Sequence, residues 1–312
     1  LPKPELKEKM VSRLEFVREL KFEYGVASQV TPLVRRVIAP NPSAFTFHGT
    51  GTYIIGRGNV AVIDPGPLID AHVDALLAAV ADEKVTHILI THTHNDHSPA
   101  AAPFKAATGA PTYGYGPHMP GKYWEKAGFA PALGGDRDFF PDHVINDGDM
   151  IEGDGWTLDV IHTPGHTANH LCFGMREENA LFSGDHVMGW STTVVSPPDG
   201  DMLDYISSCN RLLLRHEEIF WPTHGPPITS PSPYLEALIG HRMHRENEIA
   251  GALSAGLARI PDIVAKLYDH VPRHLHGAAS QTVLSHLVHM IQTGRVVCEG
   301  IPMAETVFTL AR

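Results

Sequence analysis

The stretch THTHNDHSP, residues 91–99, constrains this chain more than any other part of its sequence. It places His92, His94, Asp96 and His97 within six positions, directly after the apolar run HILIT. Buried imidazoles and carboxylates are costly to desolvate unless a partner compensates them. The stretch is therefore either a polar surface loop or a metal site, and the rest of the chain decides between the two.

Three further polar residues come soon after short apolar runs that we predict to be β-strands: His166, Asp185 and His224. These predicted strands span 156–163, 179–184 and 218–223. The chain thus has four candidate ligand segments, each at the carboxyl end of a predicted strand. Ligand sites in sheet proteins are built at this end of the strands. Polar surface loops would have no reason to share that placement, so the sequence predicts one metal site.

The candidate donors are five imidazoles and two carboxylates, with no thiolate. A closed structural zinc site needs four ligands and commonly recruits cysteine. Seven donors are too many for one zinc ion. They suit two divalent ions that share a carboxylate and keep positions open for water, as in hydrolytic two-metal sites. We expect Zn²⁺, and Fe or Mn would fit the same donor types.

The motif THTHNDH resembles the HxHxDH motif of the metallo-β-lactamase superfamily, and the later candidate ligands match its remaining motifs in order. The resemblance covers roughly residues 30–230. It implies an αββα sandwich, in which two β-sheets pack together with helices outside and the site lies along one edge. It also implies two sets of metal ligands with a bridging carboxylate: His92, His94 and His166; Asp96, His97 and His224; and Asp185 between them.

The best-known antibiotic-resistance members use a cysteine where this chain has Asp185, and the aspartate version resembles glyoxalase II, lactonases and nucleases of the superfamily. The resemblance implies a binuclear hydrolase that uses a metal-bound hydroxide, with Asp96 as the catalytic residue that orients it and takes its proton. We expect a small ester, thioester or lactone- or lactam-type carbonyl substrate. A single-strand-specific endoribonuclease is the alternative. A non-catalytic nucleic-acid-binding regulator is the third hypothesis.

The chain after Pro231 predicts three helices and a β-hairpin, the outline of a winged helix. Together with residues 188–205, it resembles the superfamily branch that carries a lactamase-associated winged helix. We predict a helical extension, a catalytic domain and a winged-helix domain: 1–29, 30–240 and 241–312. The predicted recognition helix 277–293 contains no Lys or Arg, which a DNA-reading helix normally needs. We expect this domain to pack on the catalytic domain, shape the site or form homodimer contacts.

The charge of the chain limits its partners. Of the formal net charge of −11, residues 241–312 contribute +1, with seven Lys and Arg against six Asp and Glu. Residues 1–240 therefore carry −12, which disfavours a general polyanion binder because nonspecific nucleic-acid affinity comes from clustered Lys and Arg. A small-molecule substrate is expected, and single-stranded RNA stays the alternative.

The remaining composition predicts a cytoplasmic protein. Three widely spaced cysteines without a CxxC pair argue against a disulfide framework. No apolar run of about 18 residues could span a membrane, so no membrane partner is expected. Residues 1–20 are charged throughout and have no apolar segment of a secretory signal.

A second set of residues could support the site or contact a substrate. Asp64, in VIDPG, could accept a hydrogen bond from a ligand histidine, or it forms a turn before proline. Ser191, Thr192 and Thr193 could line the pocket, or they form a polar loop.

Local patterns give two further predictions. Residues 4–21 have apolar side chains at helical spacing, which predicts an amphipathic helix on the surface. The stretch 98–155 is rich in Gly, Pro and aromatic residues, which predicts loops and short helices near a pocket. Two of its histidines could reach a substrate, although we expect them at the surface: His118 and His143. Four of its aromatic residues could form a pocket wall, although we expect most to fill a small satellite core: Tyr113, Tyr115, Tyr123 and Trp124.

Overall fold

The computed structural model describes residues 14–312, which form two β-sheets, helices on their outer faces and a helical unit with a hairpin. The first sheet contains β1 (Ser28–Gln29), β2 (Val34–Ile38), β3 (Gly51–Arg57), β4 (Asn59–Ile63), β5 (Lys84–Leu89), β6 (Thr112–Gly114) and β7 (His143–Val144). The second contains β8 (Met150–Gly153), β9 (Trp156–His162), β10 (Leu171–Met175), β11 (Ala180–Gly184) and β12 (Ile219–Pro222). The helices are α1 (Asp70–Ala79), α2 (Ala101–Thr108), α3 (Lys122–Lys126), α4 (Met202–Leu213), α5 (Pro231–Ser254), α6 (Ile260–Leu267) and α7 (His276–Gln292). The hairpin consists of β13 (Val296–Cys298) and β14 (Phe308–Leu310).

The two sheets pack face to face around a shared core. The first sheet has its strands in chain order, and the second has the order β12-β11-β10-β9-β8. Side chains from the inner faces of both sheets fill the space between them, with Tyr53, Trp156 and Phe173 fully buried. At the β3–β4 hairpin, Gly56 has a φ of +88°, and a Cβ atom there would lie 2.5 Å from the Trp156 ring. Glycine therefore permits both the hairpin backbone and the close approach of the indole.

Helices cover the outer face of each sheet, which confirms the predicted αββα sandwich. α1 and α2 pack on the first sheet through Leu76 and Phe104. α4 packs on the second sheet through Tyr205 and Leu212. The Asp201 carboxylate caps α4 by accepting hydrogen bonds from its first backbone N–H groups. Among the helices described for residues 14–312, none has the length and apolar sequence of a membrane span.

The strand directions bring the candidate ligand segments to one edge. β10 is antiparallel to both β9 and β11, and β12 is parallel to β11, so β9, β11 and β12 end on the same side. In the first sheet, β4 and β5 are parallel and also share their carboxyl ends. Each predicted ligand segment follows one of these ends, as the sequence predicts.

Helices α5, α6 and α7 and the β13–β14 hairpin form the unit predicted as a winged helix. Its core includes Ile249, Ile263, Leu287 and Phe308, and it also buries Trp124 from α3. α5 continues through position 240, so the boundary predicted between 240 and 241 falls inside a helix. The division into three domains stays a prediction.

The helix predicted over residues 4–21 is wrong for the described part of that range. Residues 14–21 have no regular secondary structure, and residues 4–13 lie outside the described residues. The predicted helical extension likewise contains no helix between positions 14 and 29. The backbone N–H of Val17 donates to the carbonyl of Gly189 at 2.9 Å. In this segment a hydrogen bond to the loop around Gly189 takes the place of a bond within a helix. Tertiary contacts routinely override the weak helix propensity of a short segment.

The stretch 98–155 is more regular than the sequence predicts. Besides the short helices α2 and α3, it contributes β6 and β7 to the first sheet and β8 to the second. Strands of two to four residues are too short to show a period-two pattern, so the sequence carried no signal for them.

We expect Phe173→Ala to lower the free energy of unfolding by about 3–5 kcal/mol, because it leaves a cavity between the sheets. Urea denaturation measures this loss. Leu214→Ala is the control, since Leu214 is 78% exposed at the end of α4 and its truncation should change stability by less than about 0.5 kcal/mol. Equal losses in the two variants would contradict the core described above.

Candidate metal centre

All seven predicted ligands meet in one cluster at the strand ends. Their donor atoms form three overlapping groups, each with all atoms within 4.8 Å of one another: His92, His94 and His166; His92, His97 and Asp185; and Asp96, His97 and His224. Because neighbouring groups share a histidine, the seven side chains form a continuous donor set. The side chains of His94 and Asp96 are 23% and 29% exposed, and the other five residues are buried. The cluster therefore opens to solvent at His94 and Asp96.

Three imidazoles converge in the first half of the cluster. Nδ1 of His94 lies 3.0 Å from Nε2 of His92 and 3.0 Å from Nε2 of His166. Burial and neighbouring imidazoles lower the pKa of His92 well below its ordinary value and the pKa of His166 to about 4. Both rings are neutral at physiological pH, and a neutral imidazole is the form that binds a metal ion.

Two carboxylates and two imidazoles form the second half. Oδ2 of Asp185 lies 3.4 Å from Nε2 of His224, 3.6 Å from Nε2 of His97 and 3.8 Å from Nε2 of His166, so it faces both halves. Oδ2 of Asp96 lies 3.2 Å from Nε2 of His224. Burial alone would lower the histidine pKa values, but the carboxylates raise the pKa of His224 to about 9 and that of His97 well above its ordinary value. A divalent cation would displace these protons as the compensating charge.

Hydrogen bonds on the far side of the rings orient three of the ligands. Each donates its Nδ1–H to an oxygen atom: His97 to Asp64 at 2.8 Å, His166 to the carbonyl of Val194 at 2.6 Å, and His224 to the carbonyl of Gly49 at 3.2 Å. These bonds fix the tautomer in which Nε2 faces the cluster.

The buried Asp64 carboxylate lies directly behind the cluster. It accepts hydrogen bonds from the backbone N–H and hydroxyl of Thr91, at 2.8 and 2.7 Å, and from the hydroxyl of Thr223 at 3.2 Å. The Thr91 oxygen, having donated its own proton, can accept the Nδ1–H of His92 at 3.1 Å. Asp64 therefore orients His97 directly and His92 through Thr91.

The donor set fits a divalent cation. Three buried atoms of the cluster lie near other cluster atoms but make no well-aligned hydrogen bond among the described residues: Nε2 of His97, Oδ1 of Asp185 and Nε2 of His224. A bound water or ion is one explanation for buried polar atoms without a partner, and three such atoms meet in this cluster. Converging imidazole nitrogens and carboxylate oxygens suit zinc and similar transition metals. The assignment of each residue to one of two ions stays a prediction.

The three hydroxyl residues near Asp185 differ in their surroundings. Thr193 is buried, and its hydroxyl contacts the backbone carbonyls of Asp185 and His186 at 2.8 and 3.0 Å. It supports the loop rather than lining a pocket, because its polar atom faces that backbone. Ser191 and Thr192 are partly exposed, and Ser191 donates to the carbonyl of Thr192 at 3.4 Å.

The surface position predicted for His118 is wrong, whereas His143 is exposed. His118 is buried, and both of its ring nitrogens have partners there: Nδ1 contacts the Thr93 hydroxyl at 2.9 Å and Nε2 contacts Asp199 at 3.1 Å. These contacts compensate the burial of the polar ring. The four aromatic residues form neither a pocket wall nor a satellite core. Tyr113 and Tyr115 pack against the core between the sheets, and Tyr123 and Trp124 pack in the core of the C-terminal unit.

Two residues that contact the cluster were not predicted from the sequence. Nε2 of His170 accepts a hydrogen bond from the backbone N–H of Asp185 at 3.1 Å. Oδ2 of Asp199 lies 3.8 Å from Nε2 of His94. His170 follows His166 by four positions in TPGHTANH, so a second histidine in a ligand motif was an available signal. The position of Asp199 in the sequence offered none.

We expect Asp64→Asn to weaken zinc affinity by about 10–100-fold, the usual cost of removing a partner that orients metal ligands. Asparagine tolerates the φ of +50° at this position, so the backbone should persist. Chelator competition measures the affinity. Asp82→Asn, at an exposed site after α1, is the control and should bind zinc like the unmodified protein. Unchanged affinity in Asp64→Asn would contradict the orienting role.

Two family models match the chain. The model of the metallo-β-lactamase superfamily matches residues 46–224, which contain all seven candidate ligands. The model of the β-lactamase-associated winged helix domain matches residues 260–302. The first range covers the sandwich from β3 to the end of β12, and the second covers α6, α7 and β13 of the C-terminal unit.

Individual proteins show the same relationship. The chain is 32% identical to the β-lactamase-like protein 2 homolog of Caenorhabditis elegans, over 72% of each chain. It is 28% identical to an atrochrysone carboxyl ACP thioesterase of Aspergillus chevalieri, over 86% of this chain and 84% of the relative. A β-lactamase domain protein from Burkholderia ambifaria shares the fold with a TM-score of 0.74 and 19% identity, over 92% of this chain and 95% of that structure. The chain belongs to the metallo-β-lactamase superfamily of hydrolases and carries its associated winged helix domain.

Proposed function

We propose that this protein is a binuclear metal-dependent hydrolase whose substrate is a small ester or thioester. The observation that carries the proposal is the seven-residue donor cluster with one accessible side. A substrate carbonyl would approach past His94 and Asp96, because the other five residues are each less than a tenth exposed. Lactone and lactam compounds contain the same kind of carbonyl centre and belong to the same proposal.

Two observations favour the carbonyl class over a nucleic acid. The relative from Aspergillus chevalieri is named as an ACP thioesterase, and a thioester is among the substrates that the sequence predicts. The net charge of −12 on residues 1–240 disfavours a polyanionic substrate. Helix α7, which would be the recognition helix of a nucleic-acid-binding winged helix, contains no Lys or Arg. It offers no cation to a phosphate backbone.

The donor set would hold two divalent ions, with zinc expected and iron or manganese compatible with the same ligands. When bound, such ions lower the pKa of water and polarise a substrate carbonyl. The protein contributes neutral imidazoles at His92 and His166, ring orientations fixed by hydrogen bonds, and a carboxylate at the open side.

Asp96 is the residue best placed to accept a proton at the open side. Burial alone would raise the pKa of Asp96, but the imidazoles of His97 and His224 outweigh burial and lower it. The carboxylate is therefore ionised at neutral pH. The Asp96 side chain is 29% exposed, more than any other of the seven cluster side chains. It can therefore meet both substrate and solvent.

We expect the zinc-loaded protein to hydrolyse acyl-N-acetylcysteamine thioesters and p-nitrophenyl esters, and Asp96→Ala to lower kcat by about 10²–10⁴-fold. Asp96 is also a predicted metal ligand, so turnover must be compared at equal measured zinc content. Asp154→Ala is the control, because Asp154 is exposed in the turn before β9, at the opposite end of that strand from the cluster. Near-normal turnover of zinc-loaded Asp96→Ala would contradict its role.

We expect chelation to abolish the esterase activity and added zinc to restore it, because no thiol or serine nucleophile is present among the seven cluster residues. The same samples are incubated with end-labelled single-stranded RNA. RNA cleavage that is lost on chelation and in Asp96→Ala, without ester or thioester turnover, would replace the proposed substrate class by the nuclease alternative.

A further inference from the structure

We propose that Arg242, on helix α5, positions the loop 185–194 and that the C-terminal helical unit thereby sets the geometry of the metal centre. The loop begins with Asp185, the predicted bridging ligand, and ends with Val194, whose carbonyl orients His166. A displacement of this loop would move donors in both halves of the cluster. This inference rests on the metal-holding part of the proposed function and is independent of the substrate.

A short chain of hydrogen bonds leads from the helix to the ligand. Nη2 of Arg242 donates to the backbone carbonyl of Thr193 at 2.5 Å. The Thr193 hydroxyl donates in turn to the backbone carbonyl of Asp185 at 2.8 Å. The residue that follows Thr193 is Val194, which accepts the Nδ1–H of His166. Arg242 therefore bonds to the residue directly before Val194, whose carbonyl orients His166. Two hydrogen bonds, both made by Thr193, separate Arg242 from the backbone of Asp185.

The cost of burying Arg242 supports a role beyond packing. The residue is 3% exposed, and none of the ion pairs found among residues 14–312 includes it. A buried guanidinium without a carboxylate partner is expensive to desolvate. The face of Tyr205, with its centroid 5.1 Å from the guanidinium carbon, compensates part of this cost through a cation–π contact. An apolar side chain of the same length would fill this space without that cost, but it would leave the Thr193 carbonyl unbonded.

Helix α5 is itself fixed to the C-terminal unit by a buried polar cluster. One turn after Arg242, the buried Glu246 carboxylate contacts Nδ1 of His289 at 2.5 Å and Nδ1 of His286 at 3.4 Å, both on α7. The guanidinium of Arg295, just before β13, contacts its other oxygen. The helix that presents Arg242 is thus held by α7 and by the start of the hairpin.

Two other contacts connect this unit to the same side of the metal centre. Nε2 of Gln292, at the end of α7, donates to the Asp201 carboxylate at 3.0 Å. The backbone N–H of Asp201 donates to the carbonyl of Gly165, the residue before ligand His166. Trp124, buried in the core of the C-terminal unit, anchors the segment that also carries His118. The C-terminal unit therefore contacts the surroundings of the cluster at three separate points.

The test compares Arg242→Met with Arg245→Met in the full chain. Arg242→Met keeps the aliphatic volume and removes the donor and the charge. Arg245 lies three residues later on α5, stacks on Tyr268 and pairs with Glu248. Within residues 14–312 its side chain makes no hydrogen bond to the loop 185–194. We expect Arg242→Met to weaken zinc affinity by about 10–100-fold and to change the visible absorption of the cobalt-loaded protein. We expect Arg245→Met to bind zinc within about twofold of the unmodified protein, and Arg242→Lys to recover part of the loss.

A second variant tests the same loop without removing the buried arginine, in case Arg242→Met fails to fold. Thr193→Val removes the hydroxyl that contacts the Asp185 carbonyl and keeps the side-chain shape. We expect it to weaken zinc affinity in the same direction, and the double variant to lose less than the product of the two single losses, because both act through one loop. Unchanged zinc affinity and an unchanged cobalt spectrum in Thr193→Val and in folded Arg242→Met would overturn the inference. Zinc binding is measured without substrate, so failure of the thioester proposal would leave this result unaffected.

Discussion

The structure depends on one buried carboxylate, Asp64, which connects the ends of three strands. It follows β4, it accepts two hydrogen bonds from Thr91 after β5, and it accepts one from Thr223 after β12. These strands belong to both sheets of the sandwich. The same carboxylate orients ligand His97 directly. A fully buried charge is tolerated only when hydrogen bonds satisfy it, so the groups that stabilise Asp64 also fix the edge on which the metal centre is built.

The seven-residue cluster is asymmetric in its electrostatics, because the histidines of its two halves have different neighbours. His92 and His166 lie among other imidazoles, so burial and like-charge neighbours keep them neutral. His97 and His224 face the carboxylates of Asp96 and Asp185, which favour the protonated rings until a cation replaces the protons. His92 and His166 therefore offer neutral rings, whereas a cation bound beside His97 and His224 would replace their protons.

The C-terminal unit contacts the surroundings of the seven-residue cluster, which its winged-helix outline alone does not indicate. Helix α7 contains no Lys or Arg, and Arg242 of the neighbouring helix α5 donates to the carbonyl of Thr193 in the loop that follows Asp185. Hydrogen bonds from His286 and His289 of α7 to the buried Glu246 carboxylate connect α5 to α7. The C-terminal unit therefore contacts the loop that connects two candidate ligand segments.

The sequence by itself predicted the seven residues that meet in the cluster and the strands that carry them, because polar residues that directly follow apolar strands form a local pattern. The sandwich was predicted from the resemblance of these motifs to a known family. The sequence also indicated Asp64, since an aspartate at a strand end is a local feature too. Only the tertiary structure gave the contacts of His170, Asp199, Thr193 and Arg242. It also showed that residues 14–21, the described part of the helix predicted over 4–21, are not helical. These features depend on contacts between residues far apart in the chain, and neither periodicity nor spacing records which distant backbone group a side chain will meet.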